Sequence, residues 1–363
     1  MKILIPFFMT DEHNLYSPHV SGGIERFIQL IYQNFPGEII PFYYNDEDRK
    51  KRLTNAKLAQ AIIHHNPDVL MVNFDSTTLI NKIQDTFNIP IAWISHTAAG
   101  GISKVLHVEM MKEFLEKGGT LSMVSPWQYA GMDKLSRRIN GIPLGLNGGY
   151  INAAFCNGDE PVYKDLEYDI TTIARMNKTK NPYLNHKLSH PNQYRSLILT
   201  TTSNLVTSEN IHYHEINSHW NHPQETIENL PHAQVMEKLA KSSTYFSTCP
   251  AETWGITALE ALARGLPVIV STDTTGTHAS ECIPASPDHI VKVRNNIRPN
   301  KFKESVDNLL KLDYNKRIEI SELTKQKHSK ENWVKSLQDL FEQTIDRKKK
   351  LKKPQFLISL NEY

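Results

Sequence analysis

Hydrophobic and polar positions along this chain fall into short apolar runs separated by longer amphipathic stretches. The runs Lys2 to Phe8, Glu38 to Tyr44, Asp68 to Asn73, Ile89 to Ser95 and Thr120 to Ser125 read as buried strands. Between them, Ile24 to Asn34 and Leu53 to His64 place apolar residues at helical spacing, and the charged Asp46 to Arg52 is a loop. The second half repeats the pattern. Strands are predicted at Asp169 to Arg175, Ser196 to Thr201, Ser243 to Thr248 and Leu266 to Ser271. Helices are predicted over Pro231 to Ala240, Gly255 to Arg264, Phe302 to Leu312, Asn315 to Gln326 and Glu331 to Lys350. Such alternation predicts an α/β protein whose parallel sheets are covered on both faces, with ligands at the carboxyl ends of the strands.

Two helices show why these assignments follow. Ile256, Leu259 and Ala263 give the helix over Gly255 to Arg264 a buried stripe, and Gly265 stands where a helix end needs a residue free to take positive φ. Trp333, Leu337, Leu340 and Phe341 do the same for the last helix. From Gly148 to Asp169 the composition shifts to Gly, Asn, Asp, Glu and Pro, which places an interdomain linker there. A chain of 363 residues is long enough for two cores on either side of it.

Charge narrows the partners little. The formal net charge is +2, so no global basic field announces nucleic acid. Three scattered cysteines, Cys156, Cys249 and Cys282, have no metal-ligand spacing and fit a reducing compartment. The apolar opening is too short for a membrane span and is followed by Thr10-Asp11-Glu12-His13, so it reads as a strand and not as a signal peptide. His212, His214, His219 and His222 lie close in sequence, but nothing fixes their geometry and they read as surface histidines.

Candidate chemistry gathers around Pro250-Ala-Glu-Thr-Trp-Gly-Ile-Thr-Ala-Leu-Glu260. Glu252 lies just before a helix start and Glu260 about one turn inside it, with seven residues between them. Free N–H groups at such a start attract an anion. Alone, two glutamates on an amphipathic helix are an ordinary solvated face. Other residues stand in order with them: Ser21-Gly22-Gly23-Ile24-Glu25-Arg26 ahead of the first helix, His96 directly after a strand, and Arg175 with Lys180 closing another. Taken together and in this order, the set resembles the retaining glycosyltransferases of GT-B fold with a Glu-x7-Glu motif, the large family similar to glycogen and sucrose synthases.

That resemblance implies two Rossmann-like, doubly wound domains facing a cleft. It divides the chain into an acceptor domain over 1–157, a nucleotide-sugar domain over 158–327, and over 328–363 a helix crossing back to the first domain plus a basic tail. Glu252 would contact donor-sugar hydroxyls and Glu260 the ribose. Gly22 and Gly23 would border the donor phosphates, as would Gly255, Ile256 and Thr257 at the helix start, and His96 would stand near the donor sugar. Arg175 and Lys180 would neutralise the diphosphate. The catalytic set is then Glu252, His96, Arg175 and Lys180. No cofactor or metal is implied beyond the nucleotide-sugar co-substrate, expected to carry UDP.

The chain departs from the family in places. Asn181 stands where the family usually has Gly after its Lys, Leu144 replaces the usual Asn in Ile142-Pro-Leu-Gly-Leu-Asn147, and only Gly276 remains of a glycine pair in Thr274 to Glu281.

The acceptor stays open between a hydroxyl of a glycan or lipid and, as in some phage enzymes of this overall fold, hydroxymethylated cytosine in DNA. A catalytically inactive GT-B binding module and a sugar-nucleotide epimerase are further alternatives, which the retained carboxylates and cations disfavour. Arg347-Lys-Lys-Lys-Leu-Lys-Lys353 is the one dense basic run, able to touch anionic lipid or nucleic-acid phosphate or simply to be solvated. The expected location is cytoplasmic, in a host cell if the chain is phage-encoded.

Overall fold

The computed structural model describes residues 1–8, 23–44, 54–73, 77–96, 103–174, 180–200, 224–250, 252, 254–272 and 278–350. The first half forms β1 (Lys2–Phe8), α1 (Gly23–Asn34), β2 (Glu38–Tyr44), α2 (Thr54–His65), β3 (Val69–Val72), α3 (Thr77–Thr86), β4 (Ile91–Ser95), α4 (Ser103–Glu116), β5 (Thr120–Met123) and α5 (Pro126–Asn140). Among the described residues its five strands are all parallel, in the order β2-β1-β3-β4-β5. Every residue of β3, β4 and β5 is buried, which is why these segments read as continuous apolar runs and not as alternating ones.

The second half contains β6 (Tyr168–Ile173), α6 (Tyr183–Ser189), β7 (Ser196–Thr200), β8 (Gln224–Glu228), α7 (His232–Ala240), β9 (Ser242–Ser247), α8 (Ile256–Leu262), β10 (Val268–Thr272), β11 (Ile290–Arg294), α9 (Pro299–Leu310), α10 (Tyr314–Lys327) and α11 (Lys330–Lys350). Among the described residues its six strands are again parallel, in the order β11-β10-β9-β6-β7-β8. The chain thus has two Rossmann-like α/β domains. In each sheet the strand order reverses once, between β1 and β3 in the first and between β6 and β9 in the second. A ligand crevice opens at the carboxyl ends of the strands at such a point.

One apolar cluster runs through both halves. It joins Ile3, Phe27, Met71 and Ile94 of the first to Trp254, Leu259 and Val268 of the second, with Trp333 and Phe341 of α11 between them. The ring of Phe341 meets Phe35 edge to face at 5.4 Å, and the Trp333 Nε1–H donates to the Asn152 carbonyl at 2.8 Å. So α11 packs on the first sheet although it follows the second.

Several element bounds differ from expectation. The helix predicted over Gly255 to Arg264 is shorter: Gly255 is its cap, and the chain leaves the helix after Leu262 to turn through Gly265. Gly265 sits at φ +75°, and a Cβ there would lie 2.4 Å from the Arg317 carbonyl oxygen of α10, so the turn requires glycine twice over. The segment after Gly148, expected to be the interdomain linker, is packed in its first part, with Ile151, Ala153, Ala154, Phe155 and Cys156 all buried. α6, β8 and β11 were not predicted.

Candidate active site

At the switch point of the second sheet, β6 and β9 run side by side, and the segments that follow them hold the central pair. Lys180 follows β6 and Glu252 follows β9. The Lys180 Nζ donates to Glu252 Oε1 in a direct ion pair, with 34% and 21% of the two side chains exposed. The two loops are also tied through the backbone, because the Thr248 hydroxyl donates to the Lys180 carbonyl at 2.6 Å. Burial disfavours the Lys180 charge, but the Glu252 carboxylate and the neighbouring Cys249 outweigh it and hold the pKa above the ordinary lysine value.

The backbone after Lys180 turns through a conformation that favours glycine. Asn181 has φ +43°, in the left-handed region where glycine is usual and asparagine is the best-tolerated substitute. Its carbonyl accepts from the Leu184 N–H at 3.1 Å as α6 begins. Asparagine therefore makes this left-handed turn.

Beyond β10 the chain returns to support the same loop. His278 is buried, its Nε2 lies 2.8 Å from the Cys249 carbonyl, and its Nδ1 accepts from the Ser280 N–H at 3.1 Å. A ring that must donate at one nitrogen and accept at the other is neutral. Burial accordingly lowers its pKa, against the pull of the Cys249 carbonyl. Glu281 closes a capping box by accepting from the His278 N–H at 2.6 Å, and it pairs with Lys292 at 3.0 Å. Ser280 donates to the Trp254 carbonyl at 3.2 Å, and its hydroxyl would lie 2.2 Å from a Cβ on Gly255, which has φ +93°. Thr248, Cys249, His278 and Ser280 are thus the supports of the pair that sequence reasoning did not single out. The one signal available was a polar residue followed three positions later by Glu, the spacing of a capping box.

Glu260 lies on α8, with 21% of its side chain exposed. Burial raises its pKa, opposed by His232, Arg264 and, from α1, Arg26; Glu160 adds to the rise. Arg26 belongs to the first half of the chain, so the Gly-Gly-x-Glu-Arg helix and α8 act on one another electrostatically. Its guanidinium donates to Gln29 Oε1 at 2.7 Å. Among the other predicted residues, Gly23 is the first residue of α1, and Ile256 and Thr257 open α8, with Gly255 as its cap. His96 follows β4 and packs its ring 4.8 Å from that of Phe27. Gly22, Arg175 and Gly276 lie outside the described residues, as do the four histidines from His212 to His222 and the tail beyond Lys350.

Among the described residues no group of three or more His, Cys, Asp or Glu side chains is placed to hold a metal ion, and no helix is long and apolar enough to cross a membrane.

Residues 207–327 match the family model described as Glycosyl transferases group 1. Among solved structures, the chain is similar to sucrose-phosphate synthase from Thermosynechococcus elongatus, at 12% identity and a TM-score of 0.71, over 95% of this chain and 100% of that one. It is similar to Anabaena HepE in complex with UDP and glucose, at 11% identity and a TM-score of 0.69, over 94% and 99% of the two chains. It is also similar to the trehalose 6-phosphate synthase of Burkholderia multivorans, at 10% identity and a TM-score of 0.65, over 93% and 98%. No curated protein sequence matches the chain. The fold shared with these structures is GT-B.

Proposed function

We propose that the chain is a retaining, metal-independent glycosyltransferase that moves a sugar from a nucleoside diphosphate donor to a hydroxyl of a glycan or glycolipid. The observation that carries this reading is the Lys180–Glu252 pair at the switch point of the second sheet. A cation beside a carboxylate at that place suits a substrate with a diphosphate at one end and sugar hydroxyls at the other. The match to the glycosyl transferases group 1 model supports it, and the UDP and glucose bound by HepE favour a UDP-sugar.

The chemistry follows from what must leave. The bond between the anomeric carbon and the phosphate oxygen breaks, and the departing diphosphate gains negative charge. Lys180 stabilises that charge, and Arg175 adds to it by family resemblance. A fixed donor of this kind is worth ~3 kcal/mol of barrier. The sugar passes through an oxocarbenium-like state with Glu252 orienting its hydroxyls. The acceptor oxygen then bonds to the anomeric carbon on the face the phosphate left, and its proton passes to the departing phosphate. Glu260 holds the ribose.

The test is thermal stabilisation of the wild-type protein and of Lys180→Ala by UDP, GDP, ADP and CMP. Stabilisation of the wild type alone by one nucleoside diphosphate supports the reading. Absence of any shift with all four overturns it.

A further inference from the structure

The loop that carries Glu252 is gripped at two points from one short helical turn, Ala279–Cys282, whose cap is His278. The His278 ring reaches the Cys249 carbonyl, three residues before Glu252, and the Ser280 hydroxyl reaches the Trp254 carbonyl, two residues after it. On its far side the turn is fastened to the end of α10. There the Lys327 Nζ donates to the Cys282 carbonyl at 2.8 Å, and the His328 Nε2 lies 2.8 Å from the Ile283 carbonyl. Of the two grips, only that of His278 titrates near neutral pH. The Cys249 carbonyl can only accept and the Ser280 N–H can only donate, so the ring satisfies both only with its hydrogen on Nε2 and none on Nδ1. The other neutral tautomer satisfies neither neighbour. An imidazolium still donates to Cys249 but turns Nδ1–H against the Ser280 N–H, so the ring loses its seat on the turn.

We infer that His278 is a positioning residue for the donor site: as a neutral ring seated on its turn it fixes the Glu252 loop before the ligand arrives, and on gaining a proton it releases that loop. This deepens the function proposed above and rests on it, since Lys180 and Glu252 are assigned to the donor there. The reach is direct on both sides of the site. The Thr248 hydroxyl ties the same loop to the Lys180 carbonyl, and Trp254 leads into Gly255, the cap of α8, against which the Ser280 hydroxyl lies. A loop ordered in advance costs less to bind than one the ligand must order. The groups around the ring decide when it charges. Burial disfavours the proton; the Cys249 carbonyl, Glu252 after β9 and Glu281 on the turn itself favour it, and Lys180 after β6 opposes it. Burial prevails, so the ring is neutral at pH 7 and charges only below the ordinary histidine range. His328, behind the turn, has its pKa lowered to about 4 and stays neutral through the same change.

Two measurements test this. NMR of the His278 ring nitrogens in the apo protein at pH 7 is expected to show hydrogen on Nε2 and none on Nδ1. The opposite tautomer or a charged ring overturns the inference while the glycosyltransferase reading stands. The second is calorimetric titration, at pH 7 and pH 5, of whichever of UDP, GDP and ADP binds, into the wild type, His278→Asn and His278→Gln. Ionisation of the ligand cancels when variants are compared at one pH. His278→Asn keeps an acceptor for the Ser280 N–H but is too short for the Cys249 carbonyl, and it is expected to bind about 10-fold more weakly than the wild type at pH 7. His278→Gln keeps a donor for that carbonyl and does not titrate. It is expected to recover part of the loss at pH 7 and to gain on the wild type by about 5-fold or more at pH 5. Apo melting curves check that each variant folds, and the pH comparison needs only His278→Gln. A ring that merely fills space would leave the variant ratios the same at both pH values. That result, or His278→Asn binding as the wild type does, overturns the inference alone. A wild type that binds no nucleoside diphosphate overturns the function proposed above, and this inference with it.

Discussion

Lys180 and Glu252, 72 residues apart in sequence, form an ion pair across the carboxyl ends of β6 and β9. In the proposed function Lys180 takes the diphosphate and Glu252 the sugar of one donor, so donor binding is expected to exchange this contact for contacts to the ligand.

Lys180→Ala is expected to lower kcat/KM by about 100-fold or more, in line with the loss of one fixed charge stabiliser. Glu252→Gln should act chiefly through the sugar and leave nucleoside diphosphate affinity nearer to that of the wild type. The apo protein gives an independent check. In a double-mutant cycle on unfolding free energy, the two substitutions should couple by no more than about 1 kcal/mol, because both side chains retain access to water. A coupling of several kcal/mol would contradict this partly exposed setting.

Gly255→Ala is expected to be destabilising by about 1–2 kcal/mol for the left-handed backbone alone, with a further loss from the approach of Cβ to the Ser280 hydroxyl. Adding Ser280→Ala should relieve the second part and leave the first. Chemical denaturation of the single and double variants measures both. Full recovery in the double variant would show that the backbone angle is unimportant.

His328 ties the segment before α11 to both halves of the chain. Its Nε2 lies 2.8 Å from the Ile283 carbonyl and its Nδ1 lies 3.1 Å from the Asn152 side-chain amide nitrogen. Burial lowers its pKa to about 4, with the Ile283 carbonyl opposing. The folded state holds the ring neutral, whereas the unfolded chain takes up a proton near pH 6.5. Its contribution to stability is thus complete above that value and is lost as pH falls toward 4. Between pH 7 and 5 the loss from this residue is about 2 kcal/mol. His328→Asn should be less stable than the wild type at pH 7, with the gap narrowing by that amount at pH 5. Denaturant midpoints across the range test this, and a constant gap would contradict it.

Trp333 anchors α11 in the apolar cluster that joins both halves. Its ring stands 4.9 Å from Phe155 and 6.1 Å from Phe27, and its indole N–H is satisfied by Asn152. Trp333→Ala is expected to cost about 3–5 kcal/mol, as for other large aromatic truncations in a core. Trp333→Phe should cost less, and its remaining deficit would report the lost hydrogen bond. Equilibrium unfolding resolves the two.

Much of the fold was legible in the sequence. Central strands such as Val69–Val72 and Val268–Thr272 are buried on both faces, so they appear as unbroken apolar runs. The two strands that escaped, Gln224–Glu228 and Ile290–Arg294, are the edges of the second sheet, β8 and β11. An edge strand of an α/β sheet is covered less completely, and β11 accordingly mixes buried and exposed residues. The carboxylates at Glu252 and Glu260 and the cation at Lys180 were legible through their spacing and order. Thr248, His278 and Ser280 were not, because nothing local distinguishes a hydroxyl or imidazole that supports a distant loop from one that meets water.

The sequence by itself determined most of the central strands and longer helices, and the alternation that makes two parallel sheets. Those properties depend on neighbours within a turn or two, and the chain carries them locally. Tertiary structure alone decided that Lys180 meets Glu252, that His232 stands beside Glu260, and that Arg26 of the first half acts on a carboxylate of the second. Each depends on which strands lie side by side and on how α11 carries the chain back, and crossover connections fix that order only when both cores have formed.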